Sequence, residues 1–230
     1  MSSSVQCEVS SWLSRCMEIA PKDGLNHELE ISLGKIQEDG SFVSGVDYKH
    51  FVHILKCLSG TTCSKWKSHE NGTELIRSYY EEGSLRRTVW VGGSRKPIMQ
   101  RKRRLAHIDI KVANRKFDLR ISMSIEEPAH CNQESVMFET PQVVRMYKRW
   151  SVVHDETWRY DMSKTATGDT REDACSKHPK YEVEVELDNW KCSEQMLILE
   201  KGLDLIGRWN SRGEKQPFMC EVIRKRFIRT

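Results

Sequence analysis

The sequence predicts an α+β fold whose sheet is mostly antiparallel. Three observations predict it: at least seven segments read as strands, several of them alternating polar and apolar residues with period two, three others set apolar residues on a helical stripe, and turn residues separate them. At 230 residues, with no repeat and no linker, the length is that of one domain, expected to span residues 1–230.

Residues 3–19 place Val5, Val9, Leu13 and Met17 on one stripe, so residues 1–20 read as an amphipathic opening helix. In Glu28-Leu29-Glu30-Ile31-Ser32-Leu33, one parity is Glu, Glu, Ser and the other Leu, Ile, Leu, which predicts the first strand. Residues 47–58 line one helical face with Phe51, Ile54, Leu55 and Leu58 behind Asp47 as N-cap. Segments 85–91 and 98–110 read as strands flanking a Gly92-Gly93-Ser94 turn. In residues 117–126, Phe117, Leu119, Ile121, Met123 and Ile125 oppose Asp118, Arg120, Ser122, Ser124 and Glu126. Residues 145–151 carry Arg145, Tyr147, Arg149 and Ser151 on one parity, and 158–163 carry Arg159, Asp161 and Ser163 before a turn at Thr167-Gly168-Asp169. Glu182, Glu184 and Glu186 oppose Val183, Val185 and Leu187, and near residues 193–207 Ser193 caps a stripe of Met196, Leu199, Leu203 and Ile206.

Composition excludes several classes. With 38% hydrophobic and 30% charged residues there is no apolar stretch for a membrane span and no case for wholesale disorder. The charge, 37 − 33 = +4, is too mild to demand a polyanionic partner, yet it is segregated: residues 94–104 hold Arg95, Lys96, Arg101, Lys102, Arg103 and Arg104 and no acid. The start, Met1-Ser2-Ser3-Ser4, has neither the cationic nor the apolar region of a secretory signal, so an intracellular protein is expected. Its eight cysteines, with no CxxC pair, then read as free thiols and not as disulfides or zinc ligands, and the Asn71-Gly72-Thr73 sequon stays idle. No GxxxxGK[ST], GxGxxG or KxDG motif occurs. His130-Cys131 begins like a cysteine-phosphatase loop, but Met137 stands where that loop needs Arg.

The polar strand faces carry the functional signal. A solvated face tolerates any mixture of Lys, Glu, Thr and Ser, whereas here one strand offers three glutamates in register and another two arginines. Carboxylates two residues apart on a strand are about 7 Å apart and repel unless cations or a metal answer them. A barrel of about eight strands with a polar lumen would bring acidic strands against basic ones and turn the apolar parity outward, under the helices. Oxygen-only carboxylate clusters suit Mg²⁺ or Mn²⁺, and Arg and Lys suit phosphate oxygens, so such a lumen would hold a metal-bound polyphosphate.

On these motifs the chain resembles, from about residue 27 to 187, the fungal and protozoan RNA 5′-triphosphatases of the triphosphate tunnel metalloenzyme superfamily, the beta-subunit type of mRNA-capping enzyme. The resemblance implies a closed eight-stranded antiparallel β-barrel, the triphosphate tunnel, with helices packed outside. It makes Glu28, Glu30 and Glu186 metal ligands and Glu126, at the end of Asp118-Leu119-Arg120-Ile121-Ser122-Met123-Ser124-Ile125-Glu126, the glutamate that orients the attacking water. Lys102 is similar to a phosphate-binding lysine, and Arg86 in Leu85-Arg86-Arg87-Thr88 to a phosphate-binding arginine, a role Arg87 could also claim. The stretch Arg145-x-x-x-Arg149-x-Ser151 resembles an Arg-x-Lys-x-Arg-x-Ser strand with Tyr147 in the lysine's place, leaving that contact missing or supplied by Lys148 after a register change. Catalytic candidates are thus Glu126, Arg86, Lys102, Arg149 and Glu184, and phosphate-binding candidates Arg86, Lys102, Arg120, Arg145, Lys148 and Arg149. Arg159, Asp161 and Glu182 are supporting residues.

The implied activity is metal-dependent removal of the γ-phosphate from 5′-triphosphate RNA in mRNA capping, with Mg²⁺ or Mn²⁺ as cofactor. The implied partners are nascent RNA ends, nucleoside triphosphates as secondary substrates, a separate RNA guanylyltransferase and no membrane. Location would be the nucleus, or the cytoplasm for a virus or organism that caps there. The alternatives are a tunnel-fold nucleoside triphosphatase or inorganic tripolyphosphatase, and a non-catalytic basic RNA-binding module using residues 94–104 with Trp90 nearby.

Overall fold

Strands with one apolar and one polar face must cover the apolar one, and here that face turns outward. The computed structural model describes residues 3–19, 26–59, 66–80, 85–93, 95–129, 140–187, 197–207 and 219–228. In chain order the elements are α1 (Ser3–Ile19), β1 (Asn26–Ile36), β2 (Phe42–Ser44), α2 (Tyr48–Ser59), β3 (Trp66–Tyr80), β4 (Leu85–Trp90), β5 (Ile98–Val112) and β6 (Asp118–Pro128), followed by β7 (Val143–His154), β8 (Trp158–Gly168), α3 (Arg171–Ser176), β9 (Lys180–Leu187), α4 (Ile198–Gly207) and β10 (Cys220–Phe227). Pairing runs β5-β4-β3-β7-β8-β9-β1, and β6 bridges β1 back to β5, so eight antiparallel strands close on themselves. β2 extends β1, and β10 extends β5 beyond the ring.

The outward parity of the ring, with Leu29, Ile31, Ile108, Leu119, Ile121, Met162, Val183 and Val185 nearly or fully buried, forms one core with the helices. Trp12, Leu13 and Cys16 of α1 enter it, as do Phe51, Ile54 and Leu58 of α2 and Leu199, Leu203 and Ile206 of α4. The α1 stripe differs from expectation at its end. Met17 is 43% exposed while Trp12 and Cys16 point inward, because the buried face follows positions 5, 9, 12, 13 and 16. Asp47 caps α2 as expected, its Oδ1 accepting the His50 N–H at 3.0 Å. The proposed capping residue Ser193 and Met196 of the last helix lie outside the described residues, as do Ser94 and His130, Cys131 and Met137. No helix is long and apolar enough to cross a membrane. Among the described residues Cys7, Cys16, Cys57, Cys175 and Cys220 form no disulfide.

One end of the barrel is tied by Asp118, which is fully buried. Its Oδ2 accepts the Ile36 N–H at 2.9 Å and its Oδ1 the Val112 N–H at 3.0 Å, and Lys35 Nζ lies 3.4 Å away. The carboxylate thus joins the ends of β1, β5 and β6. Asp118→Ala should destabilise the fold by about 2–3 kcal/mol in urea unfolding, since two buried N–H groups lose their acceptor. Nearby, Gly34 is required by close approach: a Cβ there would collide with the Val43 carbonyl and the Phe42 ring of β2.

Candidate active site

The inward parity of the barrel strands is mostly polar, and it encloses a cavity of about 510 Å³. Among the described residues its wall carries seven cations (Arg77, Arg86, Lys102, Arg104, Arg145, Arg149, Arg159) and seven carboxylates (Glu28, Glu30, Glu126, Asp161, Glu182, Glu184, Glu186). Strand order sorts them. β9, β1 and β6 are neighbours and bring most of the acids, whereas β5, β4, β3 and β7 bring most of the bases, so the two signs face each other.

Within the acidic sector Glu30 stands directly opposite Glu186, and Ser32 opposite Glu184. Lys102 Nζ reaches this sector from β5, 2.5 Å from Glu28, 3.5 Å from Glu30 and 3.6 Å from Glu126. Burial raises the Glu28 carboxyl, but the Lys102 charge and hydrogen bonds from Glu126 and Lys102 outweigh it and hold Glu28 well below the usual carboxylate range. At Glu184 burial first, then the charges of Glu30 and Glu182, outweigh the Arg149 charge and push it up to about 8. Burial and the Glu28 charge likewise raise Glu186 well above its ordinary value, although Arg159 pairs with it. Glu126 is raised by burial and by Glu28, is paired with Arg86, and accepts from Gln100 Nε2 at 3.3 Å.

The basic sector is as ordered. Arg149 Nη1 lies 3.3 Å from Asp161 and its Nε donates to Ser163 Oγ at 3.3 Å, while Ser151 Oγ donates to Asp161 at 2.6 Å. Arg159 spans Asp161, at 3.3 Å, and Glu186. Arg145 Nη2 donates to Glu182 at 2.9 Å. Tyr147 lies between these guanidinium groups, with Arg77 and Arg145 each 5.0 Å and Arg149 5.7 Å from its ring centroid, and its hydroxyl 3.0 Å from that of Tyr79. An aromatic platform for three arginines therefore occupies the place of the missing lysine.

The structure brings together in one cavity every residue given a site role from the sequence except Arg120 and Lys148, and it decides between Arg86 and Arg87. Of the adjacent pair, Arg86 faces the lumen and Arg87 does not line it. Lys148 points outward, 3.4 Å from Glu74 and over the Trp150 ring, because β7 keeps strict alternation. The register shifts lie in β3 instead, at Ser68/Glu70 and Asn71/Thr73, so Lys148 does not replace the missing cation. Arg120 has the inward parity but is bound by Asp109, Nε to Oδ1 at 2.6 Å and Nη2 to Oδ2 at 2.8 Å, and does not line the cavity. Conversely, Arg77 and Tyr79 of β3 and Gln100 of β5 line the cavity without having been singled out, and Arg104, named only as part of the basic run, lines it too.

Beside Arg120, His107 is buried, and burial first, then the Arg120 guanidinium, push its imidazole down to about 4 against the pull of Asp109. A histidine depressed in the folded state binds fewer protons than its unfolded counterpart between pH 6.5 and 4, so stability is full above 6.5 and falls through that window. The His107→Gln variant should escape this loss, gaining about 2 kcal/mol on the wild type between pH 7 and pH 5 in urea unfolding; parallel pH profiles would refute it.

Among the described residues no three His, Cys, Asp or Glu side chains converge as a ready-made metal cage. The donor chemistry nevertheless fits a hard divalent cation, since Glu28, Glu30 and Glu186 offer only oxygens, and the burial and neighbouring negative charges that raise Glu184 and Glu186 are what a dication relieves.

A closed antiparallel barrel with acid facing base across a triphosphate-sized lumen defines a triphosphate tunnel protein. Residues 74–204 match the model for the mRNA triphosphatases described as mRNA capping enzyme, beta chain. The chain belongs to that family, whose members are hydrolases. Among solved structures it is similar to the S. pombe Pct1 RNA triphosphatase, with a TM-score of 0.65 and 20% identity over 89% of this chain and 87% of that one. The same protein in complex with the Spt5 CTD matches equally. The RNA triphosphatase domain of a trifunctional mimivirus mRNA capping enzyme follows with a TM-score of 0.58 and 16% identity, over 87% of this chain and 96% of that one. No curated protein matches by sequence.

Proposed function

We propose that this chain removes the γ-phosphate from the 5′-triphosphate end of RNA, giving a 5′-diphosphate end and inorganic phosphate, as the first step of mRNA capping. The observation that carries the reading is the sorting of acidic and basic strands across one closed 510 Å³ lumen. Phosphoryl transfer asks a protein chiefly for positioning and charge neutralisation, because negative charge spreads over the equatorial oxygens in the transition state.

Arg86, Lys102, Arg145 and Arg149 then meet phosphate oxygens, leaving their carboxylate partners as the triphosphate enters. Glu126 accepts a hydrogen bond from water and aligns it behind the γ-phosphorus. The water oxygen bonds to phosphorus, the bridging bond to the β-phosphate oxygen breaks with its electron pair, and the water's proton passes toward Glu126. Glu184 lies beside the metal-binding glutamates, and Arg159, Asp161 and Glu182 hold the arginines in place. Glu28, Glu30 and Glu186 would hold Mg²⁺ or Mn²⁺, which when bound neutralises charge on the phosphate oxygens. These 230 residues hold no KxDG nucleophile, so guanylyl transfer is not performed by this domain. The site of action is the nucleus, or the cytoplasm where a virus caps there.

Phosphate release from 5′-triphosphate RNA, ATP and tripolyphosphate, each with Mg²⁺ and Mn²⁺, tests the reading. The RNA should give the highest kcat/KM. Preference for tripolyphosphate would instead mark an inorganic tripolyphosphatase, and no release from any substrate would leave a binding module.

A further inference from the structure

The lumen cations are held mainly by lumen carboxylates, but the basic surface does not end at the cavity. Arg104 lines the cavity and is exposed, and Ile228, just after β10, lines it too, tied by its N–H to the Leu105 carbonyl at 2.8 Å. From there β10 runs along β5 where β4 has already left it, with Arg226 opposite His107 and Arg224 opposite Asp109. Residues directly opposite on antiparallel strands project to the same face. Both arginines therefore continue the inward face of β5 out of the tunnel. The charges of Arg104 and Arg226 both act on His107. Arg224 and Arg226 are exposed, and none of the three arginines has a hydrogen bond or ion pair among the described residues; Arg224 acts on Asp39 through its charge alone. Cations two residues apart on a strand are about 7 Å apart, a spacing that an extended nucleic-acid backbone can match. The outward-facing members of the basic run, Arg101 and Arg103, lie on the other side of β5 and cannot share this path.

We propose that the β5–β10 face binds the single-stranded RNA body that trails the triphosphate, with Arg104, Arg224 and Arg226 contacting its phosphates. The inference rests on the RNA triphosphatase reading for its biological use but not for its test. The probe is a fluorescently labelled RNA of about 20 nucleotides with a 5′-hydroxyl, which has no triphosphate to enter the tunnel. Arg224→Glu/Arg226→Glu should weaken its binding about tenfold or more and flatten the dependence of log Kd on log salt by about 1.4, at about 0.7 per single-strand phosphate contact. The milder Arg224→Gln/Arg226→Gln pair, melting at the wild-type temperature, should show the same trend. Lys49→Glu/Lys56→Glu on α2 changes charge equally and should keep wild-type affinity. With triphosphate RNA as substrate, KM should rise about tenfold relative to that for tripolyphosphate. Unchanged binding of the 5′-hydroxyl RNA in the β10 variants, or equal weakening in the α2 variant, overturns the proposal. Arginine-dependent binding without phosphate release from triphosphate RNA would uphold the surface and refute the catalytic reading.

Discussion

Glutamine at Glu30 or Glu186 should lower phosphate release from triphosphate-ended RNA by on the order of 10²-fold to 10³-fold, the usual cost of removing one positioned charge from a transition-state contact. The two side chains stand directly opposite each other on β1 and β9. Alanine at Glu28, Glu30 or Glu186 should have a similar effect, but glutamine is the sharper probe at these two positions. It preserves shape and the capacity to accept, so Ser32 Oγ, which donates to Glu30 at 2.8 Å, keeps its partner. A structural role predicts something different. Glu186 pairs with Arg159 and Glu30 lies 3.5 Å from Lys102, so if these carboxylates served only as counter-ions, their loss would lower the melting temperature while the folded fraction turned over normally. Thermal melts beside single-turnover phosphate release separate the two outcomes, and a well-folded variant with ordinary turnover would refute the metal-ligand assignment. A half-activating Mn²⁺ concentration that rises in the glutamine variants would identify the lost function as cation binding.

How far the sequence reveals this site follows from the way each strand is built. β1, β6 and β9 hide a mainly aliphatic face under helices and turn a mainly polar one inward, so alternation alone marks both their existence and the direction of Glu28, Glu30, Glu126 and the 182–186 row. β3 has no such contrast. Leu75, Arg77 and Tyr79 share the inward face while Ile76, Ser78 and Tyr80 share the other, and two register shifts interrupt the pattern near Gly72. Arg77 and Tyr79 were therefore invisible until the barrel closed around them. β10 is obscured by a shift between Val222 and Arg224 and by charges at Glu221, Arg224, Lys225 and Arg226, and α3 is only six residues long. The ambiguity of Arg86 and Arg87 had a related origin: a six-residue strand with adjacent arginines gives no parity until its pairing with β3 and β5 is known. For Lys148 the physical reason is the reverse. A register change was needed to bring it inward, and the irregularity resides on the partner strand.

Lys102→Met should damage both stability and turnover, and the extent of each tells what the lysine does. Its ammonium is the common partner of Glu28, Glu30 and Glu126, and although burial opposes its charge, Glu28 and Glu30 raise its proton affinity above that of an ordinary lysine. Methionine keeps the bulk and removes the charge, leaving buried carboxylates without their cation, a change that costs about 3–5 kcal/mol when one partner of a buried pair is removed. In a chain of this length that is a fall of roughly 10 °C in melting temperature. Activity should fall by on the order of 10²-fold, because a charge that would meet the triphosphate is gone. The two effects can be separated by adding the metal alone. Millimolar Mn²⁺ should raise the melting temperature of Lys102→Met more than that of the wild type, since a dication bound by the freed carboxylates substitutes for the lysine as counter-ion without restoring the phosphate contact. Stability would then recover while turnover stayed low. A variant that melts with the wild type in the absence of metal would show that Lys102 does not hold the acidic sector together, and one that recovers turnover with stability would show that it meets no phosphate.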